Sequence, residues 1–294
     1  MTERLEGRIM KGIGGFYTVE TASGIFTCRA RGKFRKEGIK PMVGDRCEIS
    51  NMAGEEGYLA EILPRRNSFI RPAVANIDRM LVVVSAAPPA TDPFLIDRIL
   101  SVCIHKGIAP AVVLNKCDLD PADGLLAIYQ ATGIPCFRLS AATGEGCGAL
   151  LAFMEGQVSA FTGNSGVGKS SILNALKPGM ALEVGALQQK TERGKHTTRH
   201  VELYHLTESV VVADTPGFSS FDTEMVGAMQ KEALAETFPE FRPHLGQCRF
   251  VGCAHLKEAN CAVRRAVEAG EIHKSRYESY ERLYDQLKEK NPWE

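Results

Sequence analysis

One stretch constrains this 294-residue chain more than any other: Gly163-Asn164-Ser165-Gly166-Val167-Gly168-Lys169-Ser170, which follows an apolar run and precedes a helical one. It matches the pattern G-x-x-x-x-G-K-[ST]. The glycines let the backbone wrap a phosphate group with its N–H groups turned inward, and the helix that follows adds partial positive charge. Lys169 is placed to reach the terminal phosphates and to act in catalysis. The Ser170 hydroxyl is placed to ligate Mg²⁺, with Ser171 behind it in the nucleotide-binding set. A loop of this kind needs a strand on one side and a helix on the other, so an α/β sheet must surround it.

The flanking pattern supplies that sheet. Met80-Leu81-Val82-Val83-Val84 is a continuous apolar run, as expected of a strand buried on both faces of a parallel sheet. Asp92 caps a helix with Pro93 at its first position, running to about Lys106. Ala111 to Leu114 reads as the next strand, Pro121 to Ala131 as a helix, and Pro135 to Leu139 as another strand. Gln157 to Phe161 feeds the glycine-rich loop. Val201–Leu206 and Ser209–Ala213 read as a pair of strands. Residues 73–235 are therefore expected to form one α/β nucleotide-binding domain with a mostly parallel sheet.

Three further elements fit the same pocket. Asp214-Thr215-Pro216-Gly217 ends an apolar strand, where a carboxylate can hold Mg²⁺ and the Gly217 N–H can meet a γ-phosphate. Asn115-Lys116-Cys117-Asp118 follows another strand. The Asp118 carboxylate would accept from guanine N1–H and N2–H₂ and find no such donors on adenine, so it selects guanine. Lys116 would lie along the base and Asn115 would brace the loop. Ser140-Ala141 would turn a backbone N–H towards guanine O6. Phe218 stands where many GTPases carry a water-orienting glutamine, and it cannot hydrogen-bond water. The segment Arg193–Arg199 precedes Asp214; within it His196 could orient or deprotonate the water, and Thr197 or Thr198 could complete the magnesium shell. The base-reading elements precede the phosphate loop, which is the order of a circular permutation. The loops at the carboxyl ends of parallel strands can still build one pocket.

The flanks differ from the middle. Residues 1–72 hold 13 Lys/Arg against 9 Asp/Glu, whereas residues 73–236 hold 12 against 17, within a formal net charge of zero. Short segments at Gly15–Val19, Gly24–Cys28, Arg46–Ile49 and Gly57–Ile62 alternate with glycine-bearing turns. Residues 1–72 are expected to form a small barrel of about five strands, with the oligonucleotide-binding (OB) fold the leading candidate. Arg29, Arg31, Lys33, Arg35 and Lys36 cluster beside Phe34, a composition that suits RNA binding. Residues 236–294 carry Cys248-x4-Cys253-x-His255-x5-Cys261, whose three thiolates and one imidazole match a closed structural Zn²⁺ site. Helical sequence is expected from about Lys257 to Lys290. The other cysteines are mostly isolated in apolar runs and read as small buried hydrophobes, with no disulfide framework. No apolar stretch approaches a membrane span and no signal peptide is apparent, so a cytoplasmic protein is expected.

Taken together, these motifs resemble the bacterial ribosome small subunit-dependent GTPase A family, the YjeQ/YloQ proteins, across essentially the whole chain. The resemblance implies an OB-fold barrel, a circularly permuted P-loop GTPase and a C-terminal helical zinc module. It implies Mg²⁺ with GTP or GDP and one structural Zn²⁺. It also implies late maturation of the small ribosomal subunit, rRNA contacts from both flanking domains, and hydrolysis that the subunit stimulates and that times release. His196 corresponds to the family's catalytic histidine and Phe218 to its hydrophobic replacement of glutamine. A monomer without membrane attachment is expected.

Overall fold

The computed structural model describes residues 4–88, 91–177, 201–214 and 229–288. Five strands, β1 (Arg4–Ile13), β2 (Phe16–Thr21), β3 (Gly24–Ala30), β4 (Arg46–Ala53) and β5 (Glu56–Ile62), form the amino-terminal unit. They pair in the order β1-β2-β3-β5-β4, and β4 returns to β1 to close a barrel. Closure removes the sheet edges that a five-stranded unit would otherwise leave open. Alternation along the strands sends Ile9, Val19, Cys28, Cys47, Ile49 and Leu59 inward. The sequence signals located four of these strands. They passed over β1, whose Glu6, Gly7 and Arg8 interrupt its apolar residues.

A short helix, α1 (Gly32–Lys36), follows β3 and carries Lys33, Phe34, Arg35 and Lys36 of the basic cluster. It turns Phe34 into the barrel core, where that ring is only 3% exposed. Phe34 is therefore a packing residue and not the surface aromatic that the sequence pattern suggested. Two carboxylates fasten the following segment. Buried Asp45 accepts from Arg65 Nε at 2.7 Å, and Asp78 pairs with Arg66 at 2.5 Å. A two-stranded ribbon, β6 (Ser68–Phe69) and β7 (Val74–Ala75), completes the passage.

The central sheet runs β10-β9-β8-β11-β13-β12. Strands β8 (Arg79–Ser85), β9 (Ala109–Asn115), β10 (Cys136–Arg138), β11 (Val158–Thr162) and β13 (Val211–Asp214) are parallel, and β12 (Glu202–His205) is antiparallel to β13. Helices α2 (Pro93–His105), α3 (Asp123–Gln130), α4 (Cys147–Met154) and α5 (Lys169–Leu176) cover its two faces. Asp92 caps α2 as the sequence suggested, accepting from the Phe94 amide at 2.9 Å. Strand β12 also pairs with β1 of the barrel, which makes the two sheets continuous.

The carboxyl-terminal residues form short 3-10 turns between Lys231 and His244, then α6 (Ala262–Glu268) and α7 (Lys274–Lys288). The helical stretch expected from Lys257 is thus two helices, parted at Gly270, which adopts φ +77°. Phe238, Phe241, Val263, Tyr280, Leu283 and Leu287 pack into the same core as Phe94, Ile96 and Leu100 of α2. Arg276 of α7 is 1% exposed and sits between two carboxylates, 2.5 Å from Asp97 of α2 and 2.6 Å from Glu240.

Candidate functional site

Every nucleotide motif lies at one edge of the sheet, because each follows the carboxyl end of a parallel strand. Asn115 ends β9, Leu139-Ser140 follows β10, Gly163 follows β11 and Asp214 ends β13. Strand β11 lies between β8 and β13, so the phosphate loop is central and the base-reading loops lie to one side of it.

The loop's glycines answer to local crowding. Gly163 adopts φ +137°, and a Cβ there would strike the Val83 carbonyl oxygen; Gly168 adopts φ +99°, and a Cβ there would strike the Asn115 amide. Both positions need glycine on two counts, backbone conformation and space. Lys169 folds back over the loop, donating to Gly163 O at 2.6 Å and Asn164 O at 2.9 Å. Burial lowers its pKa from the ordinary lysine value.

Asn115 joins the loops. Its Nδ2 donates to Val167 O at 2.9 Å, within the phosphate loop, and its Oδ1 accepts from Ala141 N at 3.0 Å. A single buried carboxamide therefore fastens three segments that lie far apart in sequence. Lys116 adopts φ +67°, the Cys117 amide donates to Leu139 O at 3.2 Å, and Asp118 stands exposed just beyond. Ser140 is fully buried, and its hydroxyl accepts from Thr143 N at 3.2 Å. Ser170 and Ser171 occupy the first turn of α5, partly exposed. A hydroxyl there and the Asp214 carboxylate two elements away are hard oxygen donors, the type that Mg²⁺ takes. His196, Thr197, Thr198, Gly217 and Phe218 lie outside the described residues.

The second cluster is in the carboxyl-terminal unit. One ligand atom from each of Cys248, Cys253, His255 and Cys261 lies within 4.8 Å of all the others, and the His255 and Cys261 side chains are buried. His255 presents Nδ1, 3.5 Å from Cys248 Sγ and 3.4 Å from Cys261 Sγ. Three sulfurs and one nitrogen converging in this way fit a tetrahedral Zn²⁺. The surrounding groups hold the ligands in place. Glu258 accepts from the amides of Ala254, Leu256 and Lys257, and Ala262 N donates to Cys248 Sγ at 3.3 Å. From α7, the hydroxyls of Tyr280 and Tyr277 donate to Ala254 O and His255 O, each at 2.8 Å. The sequence pattern named the four residues that cluster here. It gave no sign of Glu258 or the tyrosines, whose roles depend on how α7 packs.

The barrel carries a third arrangement. Cross-strand register sets Phe16 opposite Arg29 and Arg29 opposite Tyr58. Arg29 lies 4.7 Å from the Phe16 ring centroid and Arg31 lies 5.8 Å from that of Tyr58. The two rings are 45% and 43% exposed. Elsewhere on the barrel Arg4 pairs with Glu48, Arg46 with Glu6, Lys11 with Glu202 and Arg65 with Asp45. Arg29, Arg31, Lys33 and Lys36 make no ion pair among the described residues; Lys33 lies over the Phe34 ring, and the side chain of Arg35 is outside the described set. Phe16 and Tyr58 were missed in the sequence, although their odd offsets from inward Val19 on β2 and Leu59 on β5 were the available signal.

Among the described residues no helix is long and apolar enough to cross a membrane. The family described as RsgA GTPase matches residues 62–224, and the RsgA N-terminal domain matches residues 6–59. The chain is 42% identical over 291 residues to the small ribosomal subunit biogenesis GTPase RsgA of Caldanaerobacter subterraneus subsp. tengcongensis, covering 98% of this chain and 97% of that protein. Its counterpart in Bacillus velezensis is 43% identical over 297 residues, covering 98% and 99%. Among solved structures, YjeQ from Thermotoga maritima superposes with a TM-score of 0.84 at 33% identity, covering 98% of this chain and 100% of that one. YloQ, described as a circularly permuted GTPase, gives 0.82 at 34% identity, covering 99% and 97%.

Proposed function

The chain belongs to the RsgA GTPase family, and from that premise we propose that it hydrolyses GTP during late assembly of the small ribosomal subunit in the cytoplasm, acting as a monomer. Residues 1–72 would serve as the RNA-binding barrel, 73–235 as the GTPase and 236–294 as the zinc-bearing unit. The observation that carries the nucleotide reading is the Asn115 carboxamide, which ties the phosphate loop to the Ser140-Ala141 loop. That contact brings the base-reading and phosphate-reading segments into one pocket despite their permuted order.

In this pocket Asp118 accepts from the guanine base, Lys116 lies along it, and the backbone at Ser140-Ala141 faces its O6. Amides of residues 163–168 surround the β- and γ-phosphates at the start of α5. Lys169 exchanges its two carbonyl partners for phosphate oxygens. Ser170, Asp214 and Thr197 or Thr198 would hold Mg²⁺, which neutralises charge developing between the phosphates. Gly217 would donate its N–H to the γ-phosphate. With phenylalanine at position 218, His196 takes over orientation of the attacking water. His196→Ala is expected to lower GTP turnover at least tenfold with GTP affinity unchanged, as general acid–base contributions run to about 10²–10⁴. An unchanged rate would remove His196 from the mechanism. Cys248, Cys253, His255 and Cys261 would hold one structural Zn²⁺, which fixes the fold of the terminal unit and takes no part in hydrolysis.

The RNA-facing surface is assigned to the outer barrel row of Phe16, Arg29, Tyr58 and Arg31, with Lys33, Arg35 and Lys36 beside it. Rings alternating with guanidinium groups suit unpaired bases and their phosphates. Phe16→Ala with Tyr58→Ala is expected to weaken binding of single-stranded rRNA segments about tenfold or more. Undiminished binding would move the RNA surface elsewhere.

A further inference from the structure

The loop that carries Asp118 has two ends, and Asn115 fastens only the first. The Asp118 side chain is exposed and makes no hydrogen bond or ion pair among the described residues. Its aim is therefore set by the backbone that bears it. That backbone bends sharply at both ends. Lys116 adopts φ +67° and Ala122 φ +51°, the left-handed region that residues other than glycine occupy at a cost. Between them the Leu119 amide donates to Lys116 O at 2.9 Å, and Asp120 Oδ1 accepts from Ala122 N at 2.7 Å. These two contacts lie within the loop, so they shape it without fixing it to the pocket. The Cys117 amide, on Leu139 O at 3.2 Å, holds the near side.

The far side is tied from the end of β10. Arg138 Nη1 donates to Asp123 Oδ1 at 2.6 Å and to Pro121 O at 3.3 Å, one partner on each side of Ala122. Arg138 is itself firmly anchored. It stands opposite Leu114 in the parallel ladder, and the Leu139 amide after it donates to Leu114 O at 2.9 Å. Gly146 covers its carbonyl oxygen so closely that a Cβ at that position would come within 2.1 Å. Arg138 also leads directly into Leu139-Ser140-Ala141. One side chain thus ties the segment bearing Asp118 to the segment assigned to guanine O6. The Arg138 and Asp123 side chains are 44% and 75% exposed, so their pair adds little to global stability. Its effect is local.

We propose that Arg138 is a positioning residue for guanine selection, whose hold on Pro121 and Asp123 keeps the Asp118 carboxylate turned to the base. The proposal rests on the assignment of Asp118 to guanine. Without that hold, Ala122 relaxes from its left-handed conformation and the loop from Cys117 to Asp123 samples other shapes. Asp118 then meets the base for only part of the time, and affinity falls by that fraction. The phosphate loop is not tied by Arg138 and keeps its geometry.

The test is displacement of fluorescent GDP from the full chain by GDP and by inosine diphosphate, which lacks the 2-amino group assigned to Asp118. Wild type, Arg138→Met, Arg138→Lys and Asp118→Ala are compared. Asp118→Ala should nearly abolish the preference for GDP. Arg138→Met is expected to weaken GDP about three- to tenfold, the range of a lost hydrogen-bonded tie. It should weaken inosine diphosphate less, so that the preference shrinks towards that of Asp118→Ala. Arg138→Lys, whose ammonium can still reach Asp123, should recover most of the loss. In GTP turnover the loss should fall on KM and not on kcat. Urea denaturation of Arg138→Met should match wild type, which checks folding. Equal losses for the two nucleotides, or a GDP preference unchanged from wild type, would overturn the positioning role and leave Asp118 as the base reader. A preference that survives Asp118→Ala would overturn the assignment of Asp118 and the proposal with it.

Discussion

At the scale of single residues, Asn115 joins the loops of the pocket, and Asp118 is the residue proposed to set its specificity. Asn115 is buried and uses both ends of its carboxamide on backbone groups of other loops. Asn115→Ala should strand Val167 O and Ala141 N, costing about 1–3 kcal/mol of stability and most of the GTP affinity. Chemical denaturation and nucleotide titration would check both. Asp118 is exposed before nucleotide binds, so Asp118→Ala should leave stability nearly unchanged while lowering GTP affinity about 100-fold, two charge-assisted hydrogen bonds at roughly 1.5 kcal/mol each. The contrast explains what could be read in advance. Asp118, Lys169 and the Cys248, Cys253, His255 and Cys261 set can be picked out as candidates because residue type and spacing mark them. The bond from Asn115 to Val167 crosses 52 positions, and the sequence shows only that the two motifs exist. Arg276 is less legible still. It sits in a polar helical stretch that reads as a solvated face, and the distant Asp97 and Glu240 that bury it carry no local signature.

At the scale of elements, two devices hold α7 against the rest. One is the buried arginine between carboxylates. Burial alone would lower the Arg276 pKa, but Asp97 and Glu240 outweigh it and raise it. Burial raises that of Asp97 despite the guanidinium beside it. Removing one partner from such a set leaves uncompensated buried charge, so Arg276→Met should cost about 3–5 kcal/mol in urea denaturation. A loss under 1 kcal/mol would mean that the carboxylates find other partners. The other device is the cysteine–histidine cluster, whose backbone is pinned from α7 by Tyr277 and Tyr280. The apolar period of residues 274–288 announced a helix, but neither device is written in that period. Strand β1 was passed over for a related reason. Its place is settled by a hairpin with β2 and by the distant strands β4 and β12, and the last two pairings have no local signature.

At the scale of the whole molecule, the sheet is continuous and the barrel keeps an inner cluster of its own around Ile9, Val19 and Leu59. Met10 of β1 and Val43 join the core that the GTPase face carrying α2 shares with the carboxyl-terminal unit. Chelation of Zn²⁺ should therefore lower the thermal transition of the GTPase and the terminal unit together, leaving the barrel transition in place; calorimetry would resolve the two. A chelator effect confined to the terminal residues would contradict the shared core. The central claim is that this architecture is a guanine-selective hydrolase whose partner is the small ribosomal subunit. The most direct measurement is turnover of GTP, with ATP as control, in the presence and absence of purified small subunits. The account predicts slow GTP hydrolysis alone, strong stimulation by the subunit, and negligible ATP hydrolysis in either case. Comparable ATP turnover would contradict the role of Asp118, and GTP turnover indifferent to the subunit would contradict the proposed partner.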